Sequence, residues 1–177
     1  VTHENVVTVH AVEQSGGIPY LVMEYVEGVS LEQRIRGRGR LDLREVVRTA
    51  IQVASGLAAA HGRNLIHRDI KPGNILLEQK TGRAKISDFG LAHVVDKSNV
   101  TQTDLLVGTP EYMAPEQARG EVMDHRSDLF SLGSVIYAMC SGQTPFTAAS
   151  TRAVVTSVAG AEIDDVAELS PETPVWL

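Results

Sequence analysis

Cysteine is nearly absent from this sequence, and so is any long apolar run. Cys140 is the only cysteine in 177 residues, which excludes an intrachain disulfide framework and an all-cysteine metal site. Its place in a helical pattern is that of a small buried hydrophobe. No stretch approaches the ~18 consecutive apolar residues that mark a membrane-spanning helix. No basic leader precedes a hydrophobic stretch, so no signal peptide is visible. Internal repeats and low-complexity segments are missing too. Positive charge is not in excess: the net charge of −6 argues against a nucleic-acid binder, whose footprint is a basic patch or stripe. What is present, 43% hydrophobic and 21% charged residues, suits one globular domain with a sizeable core. The chain also lacks an initiator Met. It opens on the strand-like "VTHENVVTVHAV" and stops on apolar residues in "SPETPVWL", so a piece cut from a longer protein at both ends is expected.

Alternation predicts two strands, Val6 to Ala11 and Ile18 to Val26, joined by the Gly-rich turn "EQSGG". Glu27 and Gly28 break the pattern, Ser30 caps a short helix through Arg36, and "RGRGR" reads as a solvated turn. The clearest helix follows, with Asp42 at the N-cap, Glu45 three residues on and Gly62 at the C-terminal cap. Its predicted buried stripe is Val47, Ala50, Ile51, Ala54, Leu57, Ala58 and His61, and the small residues of "ASGLAAA" admit a close neighbour. Brief strands are predicted at Leu65 to Ile66, Ile75 to Leu77 and Ala84 to Ile86, with "KTGR" turning between the last two. Residues 91 to 114 form a long polar stretch, of the kind that is functional or disordered. Helices are predicted again from Ser127 to Ser141, ending at Gly142, and from Ala148 to Val158. Strands first and helices afterwards indicate an α+β fold.

The chemistry concentrates in "HRDIKPGNILLEQKTGRAKISDFG". A tight turn between the strands at 75–77 and 84–86 brings their outer ends together, with Asn74 before one and Asp88 after the other. An amide oxygen and a carboxylate are hard donors suited to Mg²⁺, which leaves its other positions to water and phosphate. Asp69 then sits near that metal without ligating it, and Lys71 projects alongside to neutralise phosphate charge. A carboxylate, a lysine and a metal pair around one point suit phosphoryl transfer, which asks the protein for positioning and charge stabilisation.

These residues carry a resemblance. His67-Arg68-Asp69 with Lys71 and Asn74 resembles the catalytic loop of eukaryotic-type (Hanks-type) protein kinases, Asp88-Phe89-Gly90 their metal-binding motif, and Ala114-Pro115-Glu116 the end of their activation segment. The similarity runs from Val1 to about Trp176, with the motifs in family order, and looks most like bacterial members. It implies a protein-kinase-like fold: residues 1–26 as the last two strands of the small lobe with the hinge, and 27–177 as the helical large lobe. It implies ATP and Mg²⁺ as cofactors and Ser/Thr-bearing proteins as substrates. Asp69 would accept the hydroxyl proton, Lys71 would contact the transferring phosphate, and Asn74 with Asp88 would hold Mg²⁺. "LVMEYVEG" resembles the strand entering the hinge, with Met23 as gatekeeper, Glu24 and Val26 bonding adenine through the backbone, Ser30 near the ribose and Leu76 beneath the base.

Serine/threonine specificity is implied by Lys71 and by Thr109 in "GTPEYMAPE". Arg68 is implied to pair with an activation-segment phosphate, for which Thr101 and Thr103 offer acceptors and Ser98 lies just upstream. Asp128 resembles the buried aspartate that holds the catalytic-loop backbone, and Glu116 the partner of an arginine beyond Leu177. The Gly-rich loop, the third-strand lysine and the regulatory-helix acid would all precede Val1, so the 177 residues alone are expected to be inactive. A dimer for trans-autophosphorylation and a cytoplasmic setting are further expectations, and no membrane segment is read in these residues. Two rivals stand beside this reading. A non-catalytic scaffold is disfavoured by intact Asp69, Lys71, Asn74 and Asp88, and a small-molecule phosphotransferase by the long 91–116 segment.

Overall fold

The computed structural model describes residues 1–89, 110–148 and 150–160, together with positions 163, 166, 170, 171, 173 and 174. Two antiparallel strands, β1 (Val9–Ser15) and β2 (Ile18–Met23), form a hairpin of their own. Its turn is only Gly16 and Gly17, both at positive φ (57° and 84°), the two-residue geometry that matches strand twist. The predicted five-residue turn is therefore too long: Glu13, Gln14 and Ser15 pair with Tyr20, Pro19 and Ile18. The strand predicted to run to Val26 stops at Met23, one residue before the Glu24 N–H bonds the Thr8 carbonyl (2.8 Å).

Gly28 does not break structure. It begins β3 (Gly28–Ser30), which pairs with β4 (Ile75–Glu78), itself paired with β5 (Ala84–Ile86). A Cβ on Gly28 would lie 2.0 Å from the Leu77 carbonyl oxygen, so only glycine lets the strands approach this closely. Val6 adds a parallel bridge to Ile86 at the other side of β5. Leu65 and Ile66 form no strand; the Leu65 N–H caps the preceding helix at the Ala60 carbonyl.

Helix α1 (Leu31–Arg38) starts at Ser30 through a capping box, in which Ser30 Oγ accepts from Gln33 N–H and Gln33 Oε1 from Ser30 N–H. It runs through Arg38, so half of "RGRGR" is helical rather than turn. Helix α2 (Leu43–His61) is capped by Asp42, whose Oδ1 accepts from Arg44 and Glu45 N–H at 3.0 Å each. At its far end Gly62 stays right-handed, and Asn64 takes the positive φ instead.

The buried face of α2 shares Leu57 with the predicted stripe and otherwise lies beside it. Val46, Thr49, Val53, Gly56, Leu57 and Ala60 face inward, while Ile51 is 64% exposed and Ala54 and Ala58 face outward. The inner face meets β5 and helix α4 (His125–Ser141). Gly56 allows this, since a Cβ there would stand 2.8 Å from the Asn5 carbonyl oxygen and 3.0 Å from Ile86 Cδ1. Around that contact Val53, Leu57, Ile75, Ile86, Val135 and Met139 build the main core. A smaller cluster of Phe146, Val154 and Val158 joins α5 (Thr151–Gly160) to α3 (Pro115–Ala118). Both late helices start near their predicted positions: Asp124 caps α4 two residues early, and Ser150 Oγ accepts from Ala153 N–H.

The loop between α2 and β4 hangs from α4. Asp128, only 1% exposed, accepts from His67 N–H through Oδ2 (2.8 Å) and from Arg68 N–H through Oδ1 (2.8 Å). His61 Nε2 reaches the same Oδ2 at 2.7 Å. A buried carboxylate is tolerated only with such partners.

The stability outcomes concern three positions. Asp128→Ala orphans two donors, each costing about 1–3 kcal/mol when buried and unpaired. A loss on the order of 3 kcal/mol by urea unfolding is expected, with a smaller one for Asp128→Asn; equal stability for Asp128→Ala would refute the anchor. Gly28→Ala should cost about 2 kcal/mol by overpacking against Leu77. Gly37→Ala, at an open helical position, should stabilise by up to about 1 kcal/mol.

Candidate active site

The β4–β5 register sets the first part of the site. Ile75 pairs with Ile86, and Ser87 N–H donates to the Asn74 carbonyl at 2.9 Å, so Asn74 and Asp88 leave the ribbon at one end. Asn74 is the last residue of a 3₁₀ turn (Pro72–Asn74) and is 9% exposed. Its Nδ2 donates twice to Asp69, to the main-chain oxygen (2.8 Å) and to Oδ2 (3.0 Å). Both amide hydrogens are then used, and Oδ1 is left as an acceptor. Asp88 is exposed at φ 61°, a left-handed conformation that aspartate tolerates, and Ser87 Oγ donates to its Oδ2 at 3.2 Å.

Among the described residues Asp69 is bound through one carboxylate oxygen: Lys71 Nζ lies 2.7 Å from Oδ2, the same oxygen that Asn74 holds. Asp69 N–H donates to His67 Nδ1 (3.2 Å), and His67 Nε2 meets the Ser87 carbonyl (2.8 Å). That pair of bonds fixes the tautomer with the proton on Nε2. Burial pushes the His67 imidazole below its ordinary pKa, more strongly than the Ser87 carbonyl and the Asp128, Asp69 and Asp88 carboxylates raise it. The ring also packs on Phe89, with centroids 4.6 Å apart. The two loops carrying Asp69 and Asp88 are thus joined through one neutral imidazole.

Glu24, after β2, connects to the same ribbon. Glu24 forms an ion pair with Lys85 of β5 (2.5 Å), and its other oxygen accepts from Thr8 N–H (3.2 Å). Lys85 beside it holds the Glu24 carboxyl below the usual carboxylate range, with Thr8 assisting and burial opposing. Lys85 pairs across the sheet with Leu76, and Leu76 with Ser30. Met23, Glu24, Ser30 and Leu76 are thereby strung along one series of neighbours. Ser30 Oγ is engaged as a helix cap, leaving its O–H as a donor. The Glu24 N–H is taken by the Thr8 carbonyl, and the main chain of Val26 forms no hydrogen bond among the described residues.

Thr101, Thr103 and Thr109, with Ser98 and Gly90, lie outside the described residues. Arg68 is half-buried at φ 69°, a backbone state that costs a non-glycine residue about 1–2 kcal/mol. After the undescribed stretch, burial lifts the Tyr112 phenol to about 12, and Glu116 accepts from the Ser127 hydroxyl at the head of α4. Three partners were not read from sequence. Lys85, 9% exposed in the buried strand "AKI", announces an acidic partner by its burial alone. His61 is read only as a packed histidine, and in fact bonds Asp128. Gln117 Nε2, from α3, donates to the Arg68 carbonyl at 2.8 Å, a contact across 49 residues that no local pattern signals.

The residues fit a hard divalent cation in donor chemistry: Asn74 Oδ1 and the exposed Asp88 carboxylate stand at one ribbon end. Among the described residues no group of three or more His, Cys, Asp or Glu could hold a metal by itself. A hard ion with few protein ligands and several oxygens from water or phosphate is the chemistry that remains compatible.

Comparison with known proteins gives a consistent picture. The protein kinase domain model matches residues 1–174. Serine/threonine-protein kinase PrkC of Bacillus subtilis is 35% identical over 172 residues, covering 97% of this chain and 26% of that protein. The probable serine/threonine-protein kinase PknB of Bifidobacterium longum is 45% identical over 139 residues, covering 77% of this chain and 20% of its own. Serine/threonine-protein kinase PknA of Mycobacterium tuberculosis is 44% identical over 151 residues, covering 82% and 35%. The chain thus spans between 20% and 35% of the length of these curated relatives. With the two carboxylate loops, the shared ribbon and this match over 174 of its residues, the chain belongs to the protein kinase domain family, alongside bacterial serine/threonine kinases.

Proposed function

We propose that the chain serves transfer of the γ-phosphoryl group of ATP to serine and threonine hydroxyls of protein substrates. The observation that carries this reading is the one-sided Asp69 carboxylate. Lys71 and Asn74 both hold Oδ2, no described residue bonds Oδ1, and the side chain is 44% exposed. A carboxylate so held can take a hydroxyl proton without rotating away from its nucleophile. Lys71, already paired with Asp69, is the cation next to the place of transfer, so it binds the phosphoryl oxygens as their charge rearranges. Asn74 Oδ1 and Asp88 would hold Mg²⁺, which when bound would neutralise charge on the phosphate. Met23, the Glu24 carbonyl, Val26, Ser30 and Leu76 would bind the nucleoside, with the Glu24–Lys85 pair supporting the hinge from β5.

In this reading residues 1–26 are the small-lobe remnant and hinge, and 27–177 the large lobe. Thr109 would contact the substrate. Arg68 would meet a phosphate on Thr101 or Thr103, delivered by a second copy of the kinase, in a cytoplasmic setting. Among the described residues no helix is long and apolar enough to cross a membrane.

The test uses the protein with whatever natural sequence flanks these residues. Given Mg-ATP and a Ser/Thr-rich protein, it should transfer phosphate, and mass spectrometry should find phosphate on Thr101 or Thr103. Asp69→Asn should lower kcat by about 10²–10⁴-fold with ATP binding retained. An unchanged kcat in that variant would remove Asp69 from the chemistry, and phosphate on neither threonine would remove the Arg68 switch.

A further inference from the structure

We propose that Gln117 is a positioning residue for Asp69, holding the peptide group that precedes it. This rests on the phosphotransfer reading above and adds to it a residue outside the motifs that suggested it. The peptide unit joining Arg68 to Asp69 has two polar edges. Its N–H donates to His67 Nδ1 at 3.2 Å, and its carbonyl accepts from Gln117 Nε2 at 2.8 Å. One residue earlier, the Arg68 N–H is fixed by Asp128 at 2.8 Å. Arg68 itself sits at φ 69°, where a non-glycine residue stays only if its surroundings hold it. Asp128 holds the peptide before this strained residue, and Gln117 with His67 holds the one after it. The direction of the Asp69 side chain follows from that second plane.

The Gln117 amide is not free to rotate away. Its Oε1 accepts from the Ala114 N–H at 3.0 Å, closing the first turn of α3. A single side chain therefore links the head of α3 to the loop bearing the base. One end is an acceptor and the other a donor. That division makes the proposal separable from a structural role. A glutamate at 117 keeps the acceptor for Ala114 N–H and gains from a negative charge at a helix start. It has no N–H for the Arg68 carbonyl and sets one oxygen against another.

The experiment compares wild type, Gln117→Glu and Gln117→Ala, each with Asp69 intact and with Asp69→Asn, in the protein with its natural flanking sequence. With Asp69 intact, Gln117→Glu should lower kcat by about 10- to 100-fold, the penalty of a misplaced reacting group. The KM for ATP and the thermal midpoint should stay at their wild-type values. In the Asp69→Asn background the same change should alter the residual rate by less than about twofold, since the base through which Gln117 acts is gone. Amide hydrogen exchange at Asp69 should accelerate in Gln117→Glu while exchange in α4 is unchanged. A wild-type kcat for Gln117→Glu overturns the proposal, and so does an equal fold-loss in both Asp69 backgrounds. Should the wild-type protein transfer no phosphate, the functional reading fails on its own account. The exchange measurement then still decides whether Gln117 holds the loop, and unchanged Asp69 exchange overturns that.

Discussion

One buried carboxylate sets the geometry of the loop that carries Asp69. Asp128 lies inside the protein on α4, where an ionised group is costly unless its oxygens are saturated. They are saturated from outside α4: by two consecutive main-chain N–H groups of the loop, of His67 and Arg68, and by the imidazole of His61 at the end of α2. The arrangement works in both directions. The loop donors, buried with no strand or helix of their own, need an acceptor, and the acceptor needs donors. Because the two N–H groups belong to adjacent residues, satisfying both obliges the chain to turn sharply, and Arg68 takes the left-handed conformation that the turn requires.

From that anchor the site is assembled by short relays. His67 passes the constraint to Ser87 through one ring nitrogen and receives the Asp69 N–H on the other. The β4–β5 pairing carries it along the ribbon to Lys85, and Lys85 hands it to Glu24. Glu24 ionises more readily than a free carboxyl because of Lys85, so this pair contributes stability above the ordinary carboxylate range and loses it as pH falls through the lowered value. His67 has the same sign for a different reason. Its depressed pKa favours the folded state at pH above about 6.5, and that contribution fades as acid protonates the unfolded imidazole first. Both groups make the connection from Glu24 to the Asp69 loop acid-sensitive.

What could be read from sequence was what short-range chemistry decides. The caps at Ser30, Asp42 and Gly142 were legible because a side-chain oxygen or a missing Cβ acts within a few residues. The convergence of Asn74 and Asp88 was legible because a tight turn between two strands dictates it. The face of α2 was not. That helix carries two apolar stripes about one residue apart, Val46–Val53–Leu57–Ala60 and Val47–Ile51–Ala54–Ala58, and periodicity alone favours neither. The choice belongs to β5 and to Asn5, which only Gly56 admits. Strand β3 was missed because three residues starting with glycine have no strand pattern until Leu77 lies beside them. Leu65 and Ile66 show the converse, an apolar pair with no strand partner.

The division of labour in the loop is energetic as well as geometric. The Lys71–Asp69 pair is partly exposed, with side chains 22% and 44% accessible, and such pairs contribute ~0–1 kcal/mol to stability. The buried bonds to Asp128 are each worth more, since losing one orphans a donor away from water. The loop's shape therefore resides in its main chain, and its reactive side chains are nearly free passengers on that shape. Neutralising Asp69 removes charge without removing the frame, whereas neutralising Asp128 removes the frame while leaving every reactive group present. A site built this way keeps its electrostatics adjustable at the surface because its geometry is held from beneath.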